Sequence, residues 1–202
     1  MGEYFDLAFY LDKEKAKRDS AKVQMLKLFD IEEGENVVKQ HQYPLFTNRE
    51  VQFYDYEEVD YIQYYICLSE MVFTKKNFEI KLDQLLQVVT VCLNRIDSIL
   101  LATGVFEMTP IYLDKVKTIK DFSKKVFERF PFSFFREGNE YGMRNLKCHG
   151  NVLYAINQSR GVQDIFSNPI SELMEDYGIS FEAAQRELEL QKRNSEGDVV
   201  FD

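Results

Sequence analysis

Residues 77–104, NFEIKLDQLLQVVTVCLNRIDSILLATG, decide the fold. Phe78, Leu82, Leu85, Val89, Cys92, Ile96, Ile99 and Thr103 recur at three- and four-residue steps, the spacing of one helical face, with Asn77 as cap and Gly104 as stop. Val88, Val91, Leu93, Leu100 and Leu101 broaden the stripe, so the helix is expected to be covered on more than one side and to lie at the centre of the protein. Asn94, Arg95 and Asp97 interrupt the apolar run 85–106, and each is unfavourable at a bilayer centre, so the run is a core helix rather than a membrane span.

Upstream of this helix the chain has the character of a sheet. Residues 4–11 are aromatic and apolar and suit a strand, and Asp12 can cap a helix over 13–29 that turns Ala16, Val23, Leu26 and Phe29 inward. Residues 31–36 break that helix, and a short strand is expected at 37–43 before Pro44. Residues 51–56 and 61–68 alternate or are rich in β-branched and aromatic side chains, and 57–60 form the turn of a hairpin between them.

Downstream, helix dominates the expectation. Thr118 and Asp121 resemble a capping box that opens a helix through Arg129, after a short strand at 111–113. Residues 132–135 suit a second small hairpin or an aromatic loop, and Glu137-Gly138-Asn139-Glu140 suits a turn. Further helices are expected at 151–159, from Asn168-Pro169 to Gly178, and from a Ser180 cap through Arg193, ahead of a frayed tail. The fold class is α+β: a small mixed or antiparallel sheet, split βαβ-like, packed on a long central helix, with a helical C-terminal extension. Residues 1–165 form the core domain and 166–202 the extension.

With 202 residues, 45% hydrophobic and 29% charged, the chain can bury a core without metals or disulfides. Its net charge of −9 argues against a general nucleic-acid binder. Cys67, Cys92 and Cys148 are widely spaced and form no metal-binding pair, and with only His41 and His149 as imidazoles no metal or other cofactor is expected. No export or lipidation signal occurs at the N-terminus, so a cytoplasmic location is the expectation, with no membrane as partner.

Charge patterning points to function more than any motif does. Residues 50–70 hold six acids, no Lys or Arg, and five tyrosines. Tyrosines give rigid contact area and carboxylates steer toward positive charge, so Tyr54, Asp55, Tyr56, Glu57, Glu58, Asp60 and Tyr61 are the candidate partner-binding residues, against the plainer reading of a solvated turn over inward-packed tyrosines. On this reading, changing Asp55, Glu57, Glu58 and Asp60 together to Lys leaves the fold intact and slows association. Residues 111–149 carry nine Lys and Arg against five acids, with phenylalanines at 122, 127, 130, 132, 134 and 135 that could stack bases, but helical spacing makes most of them core.

The expected function is therefore non-catalytic. It is that of an inhibitor, immunity-type or anti-defence protein occluding a basic protein partner, one that handles nucleic acid being compatible, while nucleic acid itself is not expected as a direct ligand. The acidic residues 169–202 opposite a basic 111–149 permit a homo-oligomer. The alternative is a small hydrolase-like enzyme with a composite site using Cys148 and His149, with Glu137 and Glu140 as candidate acid-base carboxylates.

Overall fold

The computed structural model describes residues 5–29, 51–68, 73, 75–106, 116–157, 178 and 180–197. Its axis is β1 (Phe5–Asp12), in which every residue but the two aspartates is buried. A strand that is apolar on both sides needs a covering on both faces, and β1 has neighbours on both edges as well. It pairs antiparallel with β3 (Tyr61–Leu68) on one side and β4 (Ile99–Phe106) on the other.

β2 (Val51–Glu57), β5 (Phe132–Arg136), β6 (Lys147–His149) and β7 (Val152–Ile156) complete a seven-stranded, wholly antiparallel sheet in the order β2-β3-β1-β4-β5-β7-β6. Since β3 and β4 both oppose β1, they run in the same direction and are joined through α3 (Phe78–Arg95), a split βαβ unit. The α+β class stands, but the sheet is large rather than small.

The central-helix expectation is corrected. The helix ends at Arg95 and lies on one face of the sheet, burying Phe78, Leu82, Leu85, Leu86, Val88, Val89, Cys92 and Leu93. Ile99 and Thr103, assigned by spacing to its stripe, belong to β4 instead. The run 99–106 is inserted between β1 and β5 with both its faces covered, and a strand buried on both faces loses the alternation that would tell it from a buried helix.

Gly104 is no helix stop. It sits opposite Leu7 and Phe132 in neighbouring strands, and a Cβ there would come 2.6 Å from the Phe5 ring and 3.3 Å from Phe132. Arg136 closes the end of α3, donating from Nε to the Ile99 carbonyl at 2.9 Å and from Nη2 to the Ile96 carbonyl at 2.8 Å and to the Leu93 carbonyl. A guanidinium suits this role because its fixed fork of donors meets carbonyls that the helix leaves without partners.

Two layers cover the sheet. One face receives α1 (Lys13–Arg18), α2 (Ala21–Leu28) and α3, packing Ala16, Ala21, Met25, Leu26 and Phe29 with the α3 stripe onto Phe5, Leu7, Phe9, Leu11, Phe53, Ile62 and Tyr64. The helix expected over 13–29 is two helices, because Ser20 takes a left-handed conformation at φ 53° between them, and Val23 is 41% exposed rather than inward. Asp12 caps α1 as expected, its Oδ1 accepting from the Lys15 N–H at 2.8 Å.

The other face is covered by residues 116–131 and 141–146, on either side of β5 in the chain. A 3₁₀ turn (Ile119–Asp121) and a single turn, α4 (Lys124–Phe127), stand where a helix through Arg129 was expected, and the Thr118–Asp121 capping box is formed. Phe122, Phe127, Phe130, Tyr141 and Phe135 make an aromatic cluster with Tyr10 and Tyr61 beneath it. The helix expected at 151–159 is strand β7 followed by Asn157 as far as the described residues extend. α5 (Phe181–Gly197) is the expected last helix, the Ser180 hydroxyl accepting from the Ala183 N–H at 3.3 Å. The strands expected at 37–43 and 111–113, the helix starting at Asn168-Pro169 and the domain boundary at 165 lie outside the described residues.

Candidate protein-interaction surface

The β2–β3 hairpin forms where the alternation and the acidic turn placed it. Glu58 N–H donates to the Tyr61 carbonyl at 2.9 Å across the turn, and the register is unbroken from Glu57↔Ile62 to Val51↔Leu68. Period two divides the side chains of β2 between two faces. Phe53, Asp55 and Glu57 lie on the α1–α2 side, opposite Ile66, Tyr64 and Ile62. Tyr54 and Tyr56 lie on the other side, opposite Tyr65 and Gln63.

Each carboxylate of the hairpin meets a group of its own chain. Asp55 binds Lys22 at 2.9 Å; Glu57 binds Lys17 at 3.0 Å and Lys13 at 3.1 Å; Glu58 binds Lys117 at 3.0 Å. Asp60 Oδ1 accepts from the Ile119 N–H at 2.8 Å, and its carbonyl accepts from Lys13 N–H at 3.0 Å. Val59 N–H donates to the Lys117 carbonyl at 3.2 Å. The tip is therefore gripped from both covering layers, by α1 and by residues 116–119. The Glu57 carboxyl is held below its ordinary range by hydrogen bonds from Lys17 and then Lys13. Asp121, in the adjoining box, is lowered by the Thr118 backbone N–H, then the Thr118 hydroxyl and the Lys117 N–H.

Tyr61 is corrected from a surface to a core residue. It is 1% exposed, its ring lies 5.4 Å from that of Phe122, and its hydroxyl donates to the Val116 carbonyl at 2.8 Å. Burial, with the charges of Glu58, Asp121 and Asp60 behind it, pushes its phenol up to about 12. Tyr64 is likewise pushed up to about 12, by burial and then by Asp55 and Glu57. The sequence could not tell that residues 116–131 would roof this end of the sheet. What stays outward is Tyr54 at 37% and Tyr56 at 56% exposed on β2, with Val59 at 68% in the turn that follows. For the four Lys substitutions in the hairpin the ion pairs give the opposite expectation to an intact fold: they would set Lys against Lys13, Lys17, Lys22 and Lys117.

Elsewhere the candidates do not converge. Cys148 and His149 are successive residues of β6, opposite Leu153 and Val152, so their side chains leave opposite faces; the Cys148 thiol donates to the Gly150 carbonyl at 3.0 Å. Glu137 is exposed, and Glu140 accepts from the Gly138 N–H at 2.7 Å within the turn expected there. Phe122, Phe127, Phe130, Phe132, Phe134 and Phe135 are all buried, so none offers a ring to a base. Among the described residues no three His, Cys, Asp or Glu side chains are grouped as a metal ion needs, and no helix is long and apolar enough to cross a membrane.

No protein-family model, curated protein or solved structure matches the chain.

Proposed function

We propose that the protein is a non-catalytic binding module, of the inhibitor, immunity or anti-defence kind, that covers a basic protein partner with the Tyr54–Tyr56 side of its β2–β3 hairpin. The observation that carries this reading is the exposure of Tyr54, Tyr56 and Val59 together on a hairpin pinned to two layers. Aromatic side chains on a rigid support bring contact area at small entropic cost. The hairpin carboxylates already hold lysines of the same chain, so attraction toward a basic partner comes from the overall charge of −9 rather than from a bare acidic tip.

Affinity capture of the tagged protein from lysate of the cells that make it, at low and moderate salt, tests the reading. A basic partner is expected, recovered less at moderate salt. Tyr54→Ser combined with Tyr56→Ser is expected to abolish capture, while Asp55→Asn changes it little. A partner held equally well by the double Ser variant, or no protein partner and a retained metabolite, overturns the proposal.

A further inference from the structure

Among the described residues the two edges of the sheet are unlike. β6 is three residues long and begins with the exposed Lys147, which is how proteins commonly blunt an edge. β2 is seven residues long and contains no Lys, Pro or Gly, and its register with β3 has no bulge. Its two acids, Asp55 and Glu57, are engaged by Lys22, Lys13 and Lys17, so charge does not guard it either.

The backbone groups of this edge can be assigned. Glu58 N–H donates to Tyr61, so 58 and 61 form a hydrogen-bonded pair. Such pairs alternate along an antiparallel ladder. Tyr56↔Gln63 and Tyr54↔Tyr65 are then the next bonded pairs, and the N–H and carbonyl groups of Phe53, Asp55 and Glu57 point away from β3.

We infer that a second copy of this chain pairs along this edge, β2 against β2, antiparallel about a two-fold axis at Tyr54. In that register Phe53 faces Asp55 of the second copy and Glu57 faces position 51, so the outward groups of 53, 55 and 57 all find counterparts. No carboxylate stands opposite a carboxylate, and the charges that do approach are already neutralised within each copy. A two-fold contact needs such self-complementarity, and β2 has it about Tyr54. The pairing deepens the binding reading, on which its functional half rests: Tyr54 and Tyr56 of both copies stand on one continuous face, and the partner surface is complete only in the pair.

Size-exclusion chromatography with light scattering on the full chain, over rising concentration, is expected to give twice the chain mass of 23.9 kDa. Asp55→Pro removes one outward N–H and is expected to return the mass of one chain, while Asp55→Asn, which keeps that N–H, stays at twice. Should the Pro variant fail to fold, amide hydrogen exchange on the unaltered protein decides: protection at Phe53, Asp55 and Glu57 is expected to grow with protein concentration. A single-chain mass at every concentration, a doubled mass with these three amides still exchanging freely, or protection already complete in the dilute monomer overturns the pairing. A single-chain protein that captures its partner through Tyr54 and Tyr56 sinks the pairing alone. A doubled protein that captures nothing sinks the binding reading alone.

Discussion

The Tyr61 hydroxyl donates to the carbonyl of Val116 at 2.8 Å, and that bond joins the first residue of β3 to the layer roofing the sheet. Tyr61→Phe keeps the ring between Tyr10 and Phe122 and removes only the donor. A buried carbonyl left without its partner costs about 1–3 kcal/mol, so a lower thermal midpoint with unchanged secondary structure is the expected outcome. An unchanged midpoint would mean that the roof is held without this bond.

At alkaline pH the buried phenols set the limit of stability. Tyr61 and Tyr64 are pushed up to about 12, and Tyr10, buried beside Thr103, is raised further. Because the folded-state values lie above the ordinary tyrosine value of 10, the native state holds these protons more tightly than the unfolded chain does. Their contribution is complete below pH 10 and is lost as pH rises toward 12. Denaturant midpoints measured up the pH scale should fall over that interval while tyrosinate absorbance, followed in parallel, rises.

In acid the sign reverses. The lowered carboxyls of Glu57 and Asp121 contribute stability above their ordinary values of 4.5 and 3.8, and this is lost as pH falls through the lowered ones. Glu57→Gln should flatten the acid limb of a stability–pH curve without moving the alkaline limb. A curve that keeps its full acid slope would show that the Lys13 and Lys17 contacts are not formed in solution.

Fourfold substitution of Asp55, Glu57, Glu58 and Asp60 by Lys is expected to destabilise the protein, although each exposed pair by itself is worth about 0–1 kcal/mol. Reversal does more than delete a pair, since it gathers cations at the junction of α1, α2 and residues 116–119 and removes the Asp60 acceptor from Ile119 N–H. Thermal melts at low and high salt check this: the loss should be smaller in high salt.

The hairpin and β1 were legible because a half-buried strand alternates and a central strand is continuously apolar, and the α3 stripe was legible from Phe78 to Cys92. The β4 and β7 strands were not. Residues 99–106 and 152–156 are short apolar runs, and only their neighbours in the sheet decide strand over helix. For the candidate surface, alternation showed which hairpin residues share a face but not which face has a roof. Tyr61 is buried and Tyr56 exposed on the same side because residues 116–131 reach one and not the other. The pairing of Asp55 with Lys22 and of Glu58 with Lys117 likewise depends on how distant segments dock, which local spacing does not encode.

Gly104→Ala tests the strand assignment directly. The added methyl would press on Phe5, whose ring is itself confined by Phe73 at 5.3 Å and Phe132 at 5.8 Å. Overpacking of this kind costs about 1–3 kcal/mol, visible as a lower denaturant midpoint. Were these residues helical, the same change would stabilise.

Strand order also governs synthesis. Phe5 must wait for Leu68 on one side and for Phe106 on the other, so the first of the described strands stays without its second neighbour until β4 has been made. Until then residues 5–11 are an aromatic, apolar segment with no Pro and a single charge, the kind that pairs readily with other chains. Assembly of the domain is thus dominated by contacts distant in sequence, which slows folding. A nascent chain halted between residues 68 and 106 holds a hairpin and a strand with one side open, a species for chaperones rather than a half-finished domain.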